Sequence, residues 1–138
     1  MKNNKWYVIS TFVLGCIVIN FAGRILSDRL QLPLWLDSFG TVTAAYVLGP
    51  FCGAMVGMTV NLTYGILYSW TNMFCALVSA MVGITTGICA KKGFLKNLYG
   101  VLSTSFLVAV LSVTLSVPFN YLYCDGSTQN IWGDGVIE

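Results

Sequence analysis

Side chains able to do chemistry are few in this chain, and their surroundings favour ligand binding over catalysis. Asn61 lies in a long apolar run, where a polar group costs free energy unless it is hydrogen-bonded. It predicts either a hydrogen bond between two helices or the wall of a ligand cavity. The other candidate ligand-binding residues are polar or amphipathic side chains expected near one membrane face: Asp37, Tyr64, Asn72, Asn120 and Trp132.

Motifs for catalysis or metal binding are missing from the sequence. There is no Ser-His-Asp set, no P-loop and no H-E-x-x-H motif, and the chain has no histidine. The five cysteines form no CxxC pair, and the four within apolar stretches are predicted to pack as small apolar residues, whereas Cys124 is predicted to lie at a membrane edge. We therefore expect no enzymatic activity, no cofactor and no metal, and the net charge of +2 gives no reason to expect nucleic acid.

The elements that must position these residues are apolar helices. Hydrophobic residues make up 57% of the chain and charged residues 9%, and no charged residue occurs from Ser38 to Ala90. Since a spanning helix needs about 20 mostly apolar residues, the pattern predicts an all-α membrane helix bundle forming one domain, 1–138. The five predicted spans are 6–26, 34–48, 51–69, 73–90 and 98–123, followed by a polar tail, 124–138.

Local signals set the predicted boundaries. The first span could instead be a signal peptide, but its apolar stretch is long and Arg24 follows in place of a cleavage site. Residues 27–33 are predicted to be a loop with Asp28 in water, and Asp37 to cap the second helix. Pro118 is predicted to kink or end the fifth helix. Away from the ends of the spans no ionisable side chain is expected at membrane depth, so uphill transport would need energy from another subunit.

Lysine and arginine predict the orientation. Cytoplasmic loops of membrane proteins carry an excess of these residues. With the N-terminus in the cytoplasm, five lysines fall inside and only Arg24 and Arg29 outside. The inner lysines are Lys2, Lys5, Lys91, Lys92 and Lys96. The tail is then predicted to lie outside.

Small residues recur at every fourth position in two neighbouring predicted helices. Such rows let helix backbones approach closely in lipid. They predict packing within this bundle or, alternatively, docking of a separate membrane subunit. The residues are Gly49, Gly53 and Gly57 in one row, and Ser79, Gly83 and Gly87 in the other.

Several short motifs resemble those of one transporter family. They are LWLDSFGT at Leu34–Thr41, LGPFCGA at Leu48–Ala54, VGMTVNL at Val56–Leu62, VGI at Val82–Ile84 and NIWGD at Asn130–Asp134. Together they resemble the substrate-binding S component of energy-coupling factor (ECF) transporters over roughly residues 6–138.

The resemblance implies a bundle of six helices in a bacterial cell membrane, with both termini inside. It implies an outward-facing pocket for a vitamin or related micronutrient, and as partners a T-component membrane subunit and two ATPase subunits. This chain departs from the pattern, because five spans are predicted and the first lacks the Ala-xxx-Ala pair used in docking. The alternatives are a membrane sensory or anchoring domain of a signalling system, or a truncated fragment that does not transport.

Overall fold

The computed structural model describes residues 3–30, 36–68 and 71–123, and they form an all-α bundle, which confirms the predicted fold class. Two single 3-10 turns, Leu36–Ser38 and Phe94–Lys96, precede the second and fifth α-helices. The predicted tail lies outside the described residues. The helices are α1 (Asn3–Leu30), α2 (Phe39–Leu48), α3 (Pro50–Leu67), α4 (Thr71–Lys91) and α5 (Leu98–Tyr123).

Four of these helices, α1, α3, α4 and α5, are long and apolar enough to cross a bilayer, so the protein is a membrane protein. Helix α2 has 10 residues. At about 1.5 Å per residue it covers roughly 15 Å, half of a hydrocarbon core of about 30 Å. The second predicted span is therefore a short helix within the described residues, and it packs between α1 and α3 without crossing the membrane alone.

The predicted end of the first helix is wrong, and the predicted end of the fifth helix at residue 123 is confirmed. Helix α1 continues through the expected loop to Leu30, because Arg24 pairs with Asp28 one turn further on and Tyr64 donates a hydrogen bond to Asp28. Helix α5 runs past Pro118 to Tyr123. A proline removes one backbone hydrogen bond from a helix. The next residue, Phe119, stacks on Phe74 of α4 with ring centroids 4.9 Å apart, and this contact holds the last turns of α5 against the bundle.

Consecutive helices run antiparallel, which sorts the residues to two ends of the bundle. Gly49 forms the tight α2–α3 turn with φ +100°, and the Lys91 side chain lies beside it. That end, which also carries Lys92, Lys96 and the start of α1, is called the lysine end. The opposite end, where Tyr64, Tyr68, Phe74 and Phe119 lie, is called the aromatic end.

The two rows of small residues face each other inside the bundle. A Cβ atom added to Gly57 would lie 2.9 Å from Ser79 Cβ, and one added to Gly83 would lie 2.5 Å from the backbone nitrogen of Ala54. Gly53 is equally close to Ala45, and Gly87 to Pro50. The glycines therefore hold α2, α3 and α4 at short range.

Candidate functional site

A stripe of polar residues runs along α1 toward the aromatic end. Asn20, Arg24 and Asp28 are spaced four residues apart, so they lie on one face of the helix. The Arg24 guanidinium donates from Nη1 to Asp37 Oδ2 at 3.1 Å, and its Nε lies 3.9 Å from Asp28 Oδ1. One cation thus faces two carboxylates, of which Asp37 is buried and Asp28 is half exposed.

Tyr64 of α3 completes this arrangement. Its hydroxyl donates a hydrogen bond to Asp28, and the Arg24 guanidinium carbon lies 4.9 Å from the centre of its ring. Tyr68 stacks on the same ring at 4.6 Å, and Phe21 meets it edge-on at 5.7 Å. Arg24, Asp28, Asp37 and Tyr64 are called the ionic cluster, and aromatic rings form one of its walls.

A second polar region lies deeper, where four helices meet. Asn20 bonds the backbone N–H of Gly40 and the hydroxyl of Thr41, both on α2. Across α3, Asn61 Nδ2 donates to Ser79 Oγ at 2.7 Å and to the Gly57 carbonyl at 3.1 Å. Asn20, Thr41, Asn61 and Ser79 are called the polar seam. It crosses the bundle through the close contact of α2 and α4 with Gly57.

Two buried acceptor atoms in these regions have no hydrogen-bond partner: Asp37 Oδ1 and Asn61 Oδ1. Asp37 is 6% exposed and Asn61 is 2% exposed. The Gly57 carbonyl can only accept, which assigns Nδ2 to the bonded side of Asn61 and leaves its oxygen open. A buried polar group without a partner costs about 1–3 kcal/mol, so both atoms need an explanation.

The structure brings together some of the predicted ligand-binding residues. Asp37 and Tyr64 meet through Arg24, and Asn61 lies about one turn from Tyr64 on α3. Asn61 makes the interhelical hydrogen bond that was one of its two predicted roles, and its oxygen is left for the other. Asn72 and Asn120 belong to α4 and α5 near the aromatic end, but the description does not extend to their side chains. Trp132 lies outside the described residues.

The sequence analysis missed Arg24 and Asp28 as members of the site. Both lie within α1, a helix of spanning length, and Asp37 is buried against it, so three ionisable side chains meet toward the aromatic end of the bundle. Asp28 was missed because the first helix was predicted to end at residue 26, whereas Arg24 lies inside that predicted span. The signal was present, because the spacing of Asn20, Arg24 and Asp28 is that of a single helix face.

The described residues do not form a metal-binding site. They contain no group of three or more histidine, cysteine or acidic residues able to hold a metal ion. Cys16 is buried in an apolar cluster with Ala44 and Val56, and Cys52, Cys75 and Cys89 are partly buried. What the site offers is hydrogen-bond acceptors, one guanidinium and aromatic rings.

Comparison with protein-family models, with curated proteins and with solved protein structures found no match to this chain.

Proposed function

We propose that this protein is a membrane-embedded binding subunit for a small polar molecule, of the kind found as the S component of ECF-type importers. The observation that carries the proposal is the pair of buried, unpartnered acceptors, Asp37 Oδ1 and Asn61 Oδ1, in a bundle built mainly from apolar helices. Polar side chains within membrane helices are costly and mark ligand or ion pathways. A bound molecule with hydrogen-bond donors would remove the cost.

The position of the polar residues supports an opening at the aromatic end. Asp28 and Tyr68 are exposed there, while Asp37 and Asn61 lie deeper. If the lysine end faces the cytoplasm, as the positive-inside rule favours, the opening faces outward. We accordingly place the protein in the cell membrane with the N-terminus inside and the ligand entering from outside.

Energy for accumulation is assigned to partner subunits. The ionic cluster lies at one end of the bundle, and the lysine-end half of α1 is apolar from Trp6 to Ile19 apart from two small hydroxyl residues, Ser10 and Thr11. Ligand binding alone shifts a protein between its states and performs no uphill transport. The partners would be a membrane subunit and ATPases, and the chain by itself would bind without pumping.

The decisive experiment is mass spectrometry of small molecules that co-purify with the detergent-solubilised protein. We expect one molecule to be retained at close to one per chain, and Asn61→Ala to lose it while lowering thermal stability only slightly. Thr59→Ala is the matched control, because Thr59 is exposed on the same helix and bonds only the Met55 carbonyl. Wild-type protein that retains no small molecule would contradict the proposal, and so would equal loss of binding and stability in Asn61→Ala.

Reconstitution tests the division of labour. In liposomes the chain alone should show no ATPase activity and no concentrative uptake of the molecule identified by mass spectrometry. Adding a T component and its ATPases should give ATP-dependent uptake. Concentrative uptake without ATPases would reject the assignment to an importer of this type.

A further inference from the structure

We infer that the ionic cluster binds the positively charged, N–H-bearing end of an organic ligand, with Asp37 Oδ1 as the acceptor. The inference rests on the proposed function, since it names the chemical class of the molecule that the protein would bind. It goes further by assigning the contact atom and the sign of the ligand's charge.

The unpartnered atoms of the site need hydrogen-bond donors. Both unpartnered buried side-chain atoms in the described part of the chain, Asp37 Oδ1 and Asn61 Oδ1, are oxygens that can accept but not donate. A ligand rich in acceptors, such as a carboxylate or phosphate, would leave both unsatisfied. A ligand with N–H groups would satisfy them.

The charge of the cluster selects a cation among such donors. Among the described residues, Arg24 is the one cation paired with Asp28 and Asp37, so the described cluster has two carboxylates and one guanidinium. Asp37 is almost wholly buried and shares Arg24 with Asp28, and a buried carboxylate whose partner is shared is costly in a medium of low dielectric constant. A ligand ammonium or protonated ring nitrogen at Oδ1 would bring the cluster to neutrality.

The aromatic wall fits the same class of ligand. A cation is attracted to the face of an aromatic ring, and Tyr64 already holds the Arg24 guanidinium in this way at 4.9 Å. Tyr68 continues the stack toward the exposed rim, where it is 69% exposed. An aromatic ligand with a cationic end could stack on Tyr68 while its charge approaches Asp37.

The hydrogen bond between Tyr64 and Asp28 joins the half-exposed carboxylate of the ionic cluster to its aromatic wall. Asp37 Oδ1 is closed to solvent in this structure, whereas the Asp28 side chain is half exposed. Separation of Asp28 from Tyr64 would open the cluster from its exposed side without disturbing the Arg24–Asp37 pair. Entry of the ligand is therefore expected to require this one contact to break.

Three probes that share a phenylethyl group and carry end groups of different charge test the inference. Phenethylamine is cationic, 2-phenylethanol is neutral and 3-phenylpropionate is anionic at pH 7. Binding is measured by thermal shift and by calorimetry on the full chain in a neutral maltoside detergent. The amine should bind about tenfold more tightly than the alcohol, as expected for a buried charge-assisted hydrogen bond, and the carboxylate should not bind.

Variants test whether Asp37 is the source of the preference for the amine. Asp37→Asn should abolish the preference of about tenfold for the amine, while Asp37→Glu should keep part of it. Lys92→Gln, which removes a charge at the lysine end, should leave the preference unchanged. If Asp37→Asn does not fold, the comparison of the three probes on the unaltered protein still decides the matter.

Equal binding of the three probes, tighter binding of the carboxylate, or no binding of the amine would overturn the inference. These outcomes are separable from failure of the proposed function. If a neutral or anionic molecule co-purifies with the protein, the function stands and the cationic assignment falls. If no molecule co-purifies and no probe binds, both fail.

Discussion

Asn20 of α1 caps the N-terminus of α2 from a neighbouring helix. Its Oδ1 accepts a hydrogen bond of 2.6 Å from the backbone N–H of Gly40, while its Nδ2 donates to Thr41 Oγ1 at 2.9 Å. Ser38, the residue at the N-cap position, makes no side-chain capping bond. One amide therefore satisfies a free N–H at the start of the short helix and joins α1 to α2.

Replacing Asn20 should lower the free energy of unfolding by more than the loss of side-chain volume alone would. Asn20→Ala leaves the Gly40 N–H buried without its partner, and the expected loss is about 1–3 kcal/mol. Thermal or denaturant unfolding in detergent measures it. Ile19→Ala is the control, because Ile19 is adjacent on α1 and 57% exposed. Similar losses for the two variants would mean that the cap contributes little.

The glycine contacts predict a sharp difference between two identical substitutions. Gly83→Leu should lower stability by about 1–3 kcal/mol or more, because its side chain would meet the backbone of Gly53 and Ala54. Gly15→Leu is the matched control, since nothing lies within 4 Å of a Cβ at Gly15. Unfolding midpoints in the same detergent test this pair. Equal midpoints would show that α3 and α4 are not held at the distance described.

Replacing Arg24 alone should lower the free energy of unfolding more than neutralising both Arg24 and Asp37. Arg24→Met strands a buried carboxylate, and losing one partner of such a pair typically costs about 3–5 kcal/mol. The double variant Arg24→Met with Asp37→Asn should recover part of the stability. Unfolding of the wild type, both single variants and the double variant gives the coupling.

The control for that series is Arg29→Met, which removes an exposed arginine from the same helix. It should change stability by less than about 0.5 kcal/mol, as is usual for surface substitutions. A double variant no more stable than Arg24→Met would show that the stranded carboxylate is not the source of the loss.

Orientation in the membrane follows from the lysine end. Single cysteines on a background without native thiols should be labelled by a membrane-impermeant maleimide only from the cytoplasm when placed at Lys92. A cysteine at Tyr121, which is 78% exposed near the end of α5, should be labelled from outside. Labelling of the cysteine at position 92 in intact cells would contradict this topology. The ionic cluster would then face the cytoplasm.

The sequence by itself determined that this chain is an all-α membrane bundle, because four helices must hide their backbone hydrogen bonds from lipid and do so with long apolar runs. It also determined which ends of the helices carry lysine, and it singled out Asp37, Asn61 and Tyr64 as polar or amphipathic groups in apolar surroundings. Composition and local periodicity suffice for these points, since each depends on residues close together along the chain.

Only the tertiary structure decided that Arg24 and Asp28 belong to the site. Sequence signals ended the first helix at residue 26 and placed Asp28 in water, whereas α1 reaches Leu30 because Asp28 accepts a hydrogen bond from Tyr64, 36 residues later. The same holds for Asn20, whose partners on α2 are 20 and 21 residues away. Contacts between residues far apart in the sequence determine whether the last turn of a helix such as α1 stays helical. They also determine which polar atoms are left without a hydrogen-bond partner. The local sequence pattern predicts neither.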